Sequence, residues 1–190
     1  MKKFLWLLGL LLLIGVAKAA FVWSGAYNVA ADEPHWRATE RMIEILRVRS
    51  IASRTSDITV PELDDEAMIR AGAGNYDAMC AGCHLEPGVA STEQSRGLYP
   101  APPDFTKRGI DDPAAAFWTI KHGIKMTGMP AWGKSMKDDD IWGLVALLGK
   151  LWELSPDGYR ELVAASGGHR HGGAEEADEH DETDASPHRH

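Results

Sequence analysis

The chain has 190 residues, which is room for one domain of modest size with additional segments at its ends. It contains only two cysteines and carries a formal net charge of −8. This composition excludes a four-cysteine zinc site, and no nucleic-acid partner is expected.

Residues 1–23 are predicted to be a membrane anchor or a signal peptide. Lysines precede an apolar run, and the sequence "AKA" around Lys18 resembles a signal-peptidase site. Phe4 to Trp23 spans 20 residues, enough to cross a hydrocarbon core of about 30 Å. We favour a retained helix in a bacterial inner membrane, because apolar residues continue on both sides of Lys18. Cleavage would instead give a soluble periplasmic protein, and in both cases the chain after residue 24 is exported.

Residues 24–63 are interpreted as a connector that contains a basic amphipathic helix. Trp36, Ile43 and Leu46 are spaced for one helix face, and arginines occupy the others. Such a helix either lies on lipid headgroups or packs on the following domain. The sequence does not separate these two alternatives.

Residues 64–163 are predicted to form a compact all-α domain. Asp64 or Asp65 is expected to cap its first helix. No run of alternating apolar and polar residues indicates a strand. The predicted helices cover residues 64–84, 112–124 and 137–154.

The first of these helices ends in "CAGCH", which places Cys80, Cys83 and His84 together. Zinc would need a second pair of ligands, and a disulfide across two residues closes too short a loop to stabilise the fold much. A redox dithiol is the weaker alternative, because that motif usually follows a strand. Covalent haem attachment accounts for all three residues. Thiols one helical turn apart can bond to the two vinyl groups of one haem, and His84 then lies beneath the iron as its proximal ligand.

A second iron ligand is expected on a distant loop, and "TGMPAWG" supplies Met129. Pro130 restricts Met129 to an extended conformation, and the glycines of this loop allow its backbone to approach the haem. Met126 is the rival ligand. His122 is a weaker rival because it falls inside a predicted helix.

Residues 164–190 are predicted to be a disordered tail rich in histidine and acidic residues. From Gly167 to His190 the net charge is −5, which leaves −3 for the rest of the chain. Histidines among carboxylates offer weak sites for copper, zinc or nickel, although a solvated tail with incidental histidines is the simpler interpretation. The five histidines are His169, His171, His180, His188 and His190.

These motifs together resemble class I c-type cytochromes, specifically bacterial ones with a "GMPAW" loop. The resemblance covers residues 64–163 and implies a class I cytochrome c fold, in which helices wrap around one covalently bound haem c. It also implies that Gly72 and Tyr76 lie where the first helix crosses the last. Leu147 stands where the family often has an aromatic residue, so the aromatic partner of Tyr76 is either missing or supplied by Trp142.

The resemblance also implies roles for residues around the haem. The carbonyl of Pro103, in "PDF", would accept a hydrogen bond from the His84 imidazole and increase its basicity. Phe105 and Trp132 would form walls of the haem site.

His–Met ligation fills both axial positions of the iron, and the thioether raises its potential. We therefore predict a periplasmic one-electron carrier between a membrane donor and an oxidase or reductase. No independent enzymatic activity is expected, because no catalytic triad, phosphate loop or carboxylate pair stands out in the sequence. The alternatives are a haem sensor, a haem-containing subunit of a larger enzyme, and metal handling through the tail.

Overall fold

The computed structural model describes residues 1–169, which form helices and loops and contain no β-strand. The all-α prediction is therefore confirmed for this part of the chain. Two compact units are present, Met1–Ile45 and the chain from Leu46 onward. The α-helices are α1 (Lys2–Trp23), α2 (Arg37–Thr55), α3 (Glu66–Met79), α4 (Ala81–His84), α5 (Glu93–Gly97), α6 (Pro113–His122), α7 (Asp138–Lys150) and α8 (Pro156–Ala165).

In the first unit, α1 is apolar apart from Lys2, Lys3 and Lys18, with a mean hydropathy of 2.3 over its most apolar 18 residues, and it buries none of its side chains. Among the described residues it is the one helix long and apolar enough to cross a membrane, a test that a signal sequence also passes. Aromatic rings close the turn that follows it. Tyr27 contacts Trp36 edge-on at 5.0 Å between ring centroids, and its hydroxyl lies 2.7 Å from Nδ1 of His35.

Helix α2 leaves most of its apolar side chains in solvent. Ile43 is 42% exposed and Leu46 is 68% exposed. Arginines lie along the same helix, so it has the basic, partly apolar character expected from the sequence. That α2 lies on lipid headgroups or packs on the following domain stays a prediction.

In the second unit, α3 and α7 cross at glycines. A Cβ atom on Gly72 would lie 2.0 Å from the carbonyl oxygen of Gly143, well inside van der Waals contact. The absence of a side chain at position 72 is what allows the two backbones to approach so closely. The prediction that Gly72 lies at a close crossing with the last long helix is confirmed, although the sequence analysis did not identify Gly143 as its partner.

Helix α7 supplies most of the core, with Ile141, Leu144 and Leu147 at most 1% exposed. Helix α6 packs against it through stacked rings of Phe117 and Trp142, whose centroids are 4.1 Å apart. Trp142 therefore packs against α6 and is not the aromatic partner of Tyr76.

Helix α8 supplies that partner. Tyr159 meets the ring of Tyr76 edge-on at 6.4 Å, and both rings are almost completely buried. The aromatic ring comes from a helix that the sequence analysis did not predict. Ser155 caps this helix, which runs from Pro156 to Ala165. It therefore includes residues 164 and 165, which the sequence had placed in the tail.

Residues 166–169 lie against α3. Nδ1 of His169 is 3.0 Å from Oδ1 of Asn75, a buried residue of that helix. The rest of the predicted tail, with its other four histidines, lies outside the described residues.

Candidate haem site

Cys80 lies at the break between helices α3 and α4, and Cys83 lies within α4. The N–H of Cys80, at the end of α3, donates to the carbonyl of Tyr76 at 2.8 Å. The N–H groups of Cys83 and His84 both donate to the carbonyl of Cys80, at 3.0 and 2.8 Å. The predicted single helix over 64–84 is thus two helices, but the turn between Cys80 and Cys83 keeps the two thiols one helical turn apart.

Both thiols are free and half-buried. Burial raises the pKa of Cys80 to about 12, and the neighbouring Cys83 adds to the increase. The Cys80 thiol is therefore neutral near pH 7. A neutral Cys80 thiol is a poor nucleophile for thiol–disulfide exchange, which proceeds through the thiolate.

The His84 imidazole is fixed by the loop that precedes α6. Its Nδ1 lies 2.9 Å from the carbonyl oxygen of Pro103, and Phe105 stacks on the ring at 5.1 Å. A carbonyl can only accept, so Nδ1 carries the proton of this hydrogen bond. Burial lowers the pKa of His84, against the opposing effect of the bond to Pro103. The neutral ring therefore keeps an unshared electron pair on Nε2, the atom available to a metal.

Met129 lies on a loop that several close contacts hold in place. Its carbonyl accepts from the N–H of Ile124 at 3.2 Å, and its own N–H donates to Oγ1 of Thr127 at 3.1 Å. Gly123 has a φ of +65°, and a Cβ there would lie 2.8 Å from the Met129 carbonyl oxygen. On the other side of the loop, Gly128 packs against the side chain of Leu98.

The structure separates Met129 from its rivals by burial. Met129 is half-buried and packs on the hydrophobic core, against which Cys80, Phe105 and Trp132 also lie. Met126 is fully exposed, and His122 is exposed beside Trp118. Of the two methionines, Met129 alone packs on the core against which Cys80 also lies.

The donor set fits a haem. It comprises two free thiols one turn apart, a neutral imidazole with an open Nε2, and a half-buried thioether near apolar side chains. Within residues 1–169 no three His, Cys, Asp or Glu side chains are grouped to hold a metal ion among themselves. The tail sites for copper, zinc or nickel lie almost wholly outside this range and stay a prediction.

Comparison with known families matches residues 67–148 to the family described as cytochrome c oxidase, cbb3-type, subunit III. Residues 67–148 form a cytochrome c domain. No curated protein and no solved structure gives a match. The predicted class I cytochrome c fold is thereby confirmed, and with it a haem cofactor and a role in electron transfer. The individual ligands remain a prediction supported by the geometry above.

Several residues that shape this cytochrome c domain were missed in the sequence. Oγ1 of Thr92 donates to the carbonyl of Gly82 inside the cysteine motif, and Leu98 supports the Met129 loop. Neither has a sequence signal. Tyr159 had one, because "SPDGY" has the serine cap and first-position proline of a helix start.

Proposed function

We propose that Cys80 and Cys83 bind one haem c through thioether bonds, with His84 and Met129 as axial ligands. The observation that carries this proposal is the hydrogen bond from Nδ1 of His84 to the Pro103 carbonyl, because it leaves Nε2 free in a ring of fixed orientation. When bound, the haem supplies a one-electron Fe(III)/Fe(II) couple.

The protein's own residues would tune and protect this couple. Pro103 orients the imidazole and makes it a stronger electron donor. The Met129 thioether favours the reduced state and occupies the position that an exogenous ligand would need. Phe105 and Trp132, which pack on the hydrophobic core, would form apolar walls of the site.

With both axial positions filled, the domain suits a carrier better than a catalyst. We infer that it shuttles electrons in the periplasm, between a membrane donor and an oxidase or reductase, while α1 holds it at the inner membrane. We expect no independent enzymatic activity.

Binding of carbon monoxide to the reduced haem distinguishes an electron carrier from a haem sensor. The matured, full-length protein is reduced and exposed to the gas, and its visible spectrum is recorded before and after. A carrier with Met129 on the iron gives no spectral change at low carbon monoxide concentration. Complete conversion to a carbonyl complex would indicate an open or weakly held position and would favour a sensor.

The second candidate is a haem-containing subunit of an oxidase, and the description of the matched family favours it. Mild detergent extraction followed by size determination distinguishes the two functions. A subunit would stay with a large complex that consumes oxygen, whereas a carrier would migrate near its own mass of 20.8 kDa plus detergent and haem.

A further inference from the structure

The backbone reverses direction directly after His84. Leu85 has φ 67° and ψ 165°, a region that is essentially reserved for glycine. Its side chain is buried, with 7% exposed, and its N–H donates to the carbonyl of Ala81 at 2.9 Å. A leucine in this conformation persists only where the surrounding structure holds it there.

Tyr76 supplies a hydrogen bond that holds this reversal. Its hydroxyl donates to the carbonyl oxygen of Leu85 at 2.6 Å, and the residue is 1% exposed. The backbone carbonyl of Tyr76 accepts from the N–H of Cys80 at 2.8 Å. One residue of α3 is therefore bonded to both ends of the segment from Cys80 to Leu85.

Neighbouring residues fix the Tyr76 ring in turn. Tyr159 packs edge-on against it and donates its own hydroxyl to Oδ1 of Asp77 at 3.2 Å. Burial raises the pKa of the Tyr76 hydroxyl far above its ordinary value, with smaller contributions from Cys80 and nearby carboxylates. The hydroxyl therefore stays protonated and remains a donor to Leu85.

We propose that the Tyr76 hydroxyl is a positioning group for the proximal imidazole. By holding Leu85 in its reversed conformation, it sets how His84 presents Nδ1 to the Pro103 carbonyl and Nε2 to the iron. This inference rests on the proposed function, in which His84 ligates haem. Without the hydroxyl, the bond to Pro103 lengthens, the imidazole donates less electron density, and the reduction potential rises.

The test compares Tyr76→Phe with Tyr159→Phe in the matured, full-length protein. Both changes remove one hydroxyl from the same buried pair of rings, but only the first removes the bond to Leu85. Redox titration gives the midpoint potential, and NMR gives the exchange rate of the His84 Nδ1 proton. Tyr76→Phe is expected to raise the potential and to speed that exchange about tenfold, the effect of losing one hydrogen bond. Tyr159→Phe is expected to leave both unchanged while lowering the unfolding temperature.

A second pair of variants tests the route through Leu85. Glycine adopts a φ of 67° without strain, so in a Leu85→Gly background the removal of the Tyr76 hydroxyl is expected to shift the potential less. Equal, small effects of Tyr76→Phe and Tyr159→Phe on potential and exchange would overturn the proposal and make Tyr76 a packing residue only. If removing the Tyr76 hydroxyl shifts the potential as much in the Leu85→Gly background as in the unmodified protein, Tyr76 does not act through Leu85. Failure of the proposed function is recognised separately, because the unmodified protein would then lack covalent haem.

Discussion

At the scale of single residues, the two proposed iron ligands are side chains whose donor atoms carry no proton. The Pro103 carbonyl fixes the proton of His84 on Nδ1, which leaves Nε2 open. Met129 needs no such control, because a thioether has no proton to lose. Its selection over Met126 depends on burial alone.

Met129→Leu and Met126→Leu test that selection as a matched pair. Leucine fills a similar volume but cannot ligate iron. We expect Met129→Leu to lower the midpoint potential by on the order of 0.1 V, within the roughly 0.8 V range that axial ligands span, and to admit carbon monoxide. Met126→Leu is expected to change neither property, and an effect of Met126→Leu larger than that of Met129→Leu would reverse the assignment.

At the scale of helices, the domain is organised around the glycine contact between α3 and α7. Gly72→Ala would place a Cβ atom 2.0 Å from the Gly143 carbonyl oxygen, so the helices must move apart. We expect a loss of about 3 kcal/mol in the free energy of unfolding, measured by denaturant titration.

Gly149→Ala is the control on α7. A Cβ at this position meets no atom within 4 Å, and alanine favours the helix over glycine. This variant is expected to gain about 0.5–1 kcal/mol. If Gly72→Ala and Gly149→Ala lower the free energy of unfolding equally, the helix crossing does not require glycine at position 72.

The elements that the sequence predicted are those with local signals. Asp65 and Asp112 cap α3 and α6, and the apolar spacing of α7 identifies a buried helix. Helix α8 was missed although local signals for it exist: Ser155 and the following proline start the helix, and Tyr159, Leu162 and Val163 have helical spacing against the core. The reversal at Leu85 has no such signal, since nothing in a leucine indicates a positive φ; it depends on the Tyr76 hydroxyl.

Across the whole molecule, most of the net charge lies at one end and the longest apolar stretch at the other. Residues 170–190 carry a net charge of −5 out of −8, and α1 carries the apolar stretch. Because both lie outside residues 67–148, we expect that each end can be removed without altering the haem site.

Deleting residues 170–190 tests the metal-handling hypothesis. We expect the haem spectrum and unfolding temperature to stay unchanged, and Cu(II) binding, measured by calorimetry, to be lost with the four histidines removed. If the full-length chain binds no Cu(II) above the level of the shortened one, the tail is simply a solvated acidic segment.

The fate of α1 is tested by the N-terminal sequence and by extraction of membranes with alkaline carbonate. A retained anchor resists extraction and keeps the lysines at positions 2 and 3. A soluble protein that begins at Ala20 would instead identify residues 1–19 as a signal peptide.

A visible spectrum of the unfolded protein shows whether "CAGCH" holds haem covalently. Protein matured alongside a c-type haem attachment system is denatured and extracted with acidified organic solvent, next to a variant with Cys80→Ala and Cys83→Ala. We predict that haem stays with the unmodified polypeptide and is extracted from, or never incorporated into, the variant. Haem that leaves the unmodified chain as freely as the variant, or no haem in either, would show that the motif does not attach haem and would return it to the dithiol interpretation.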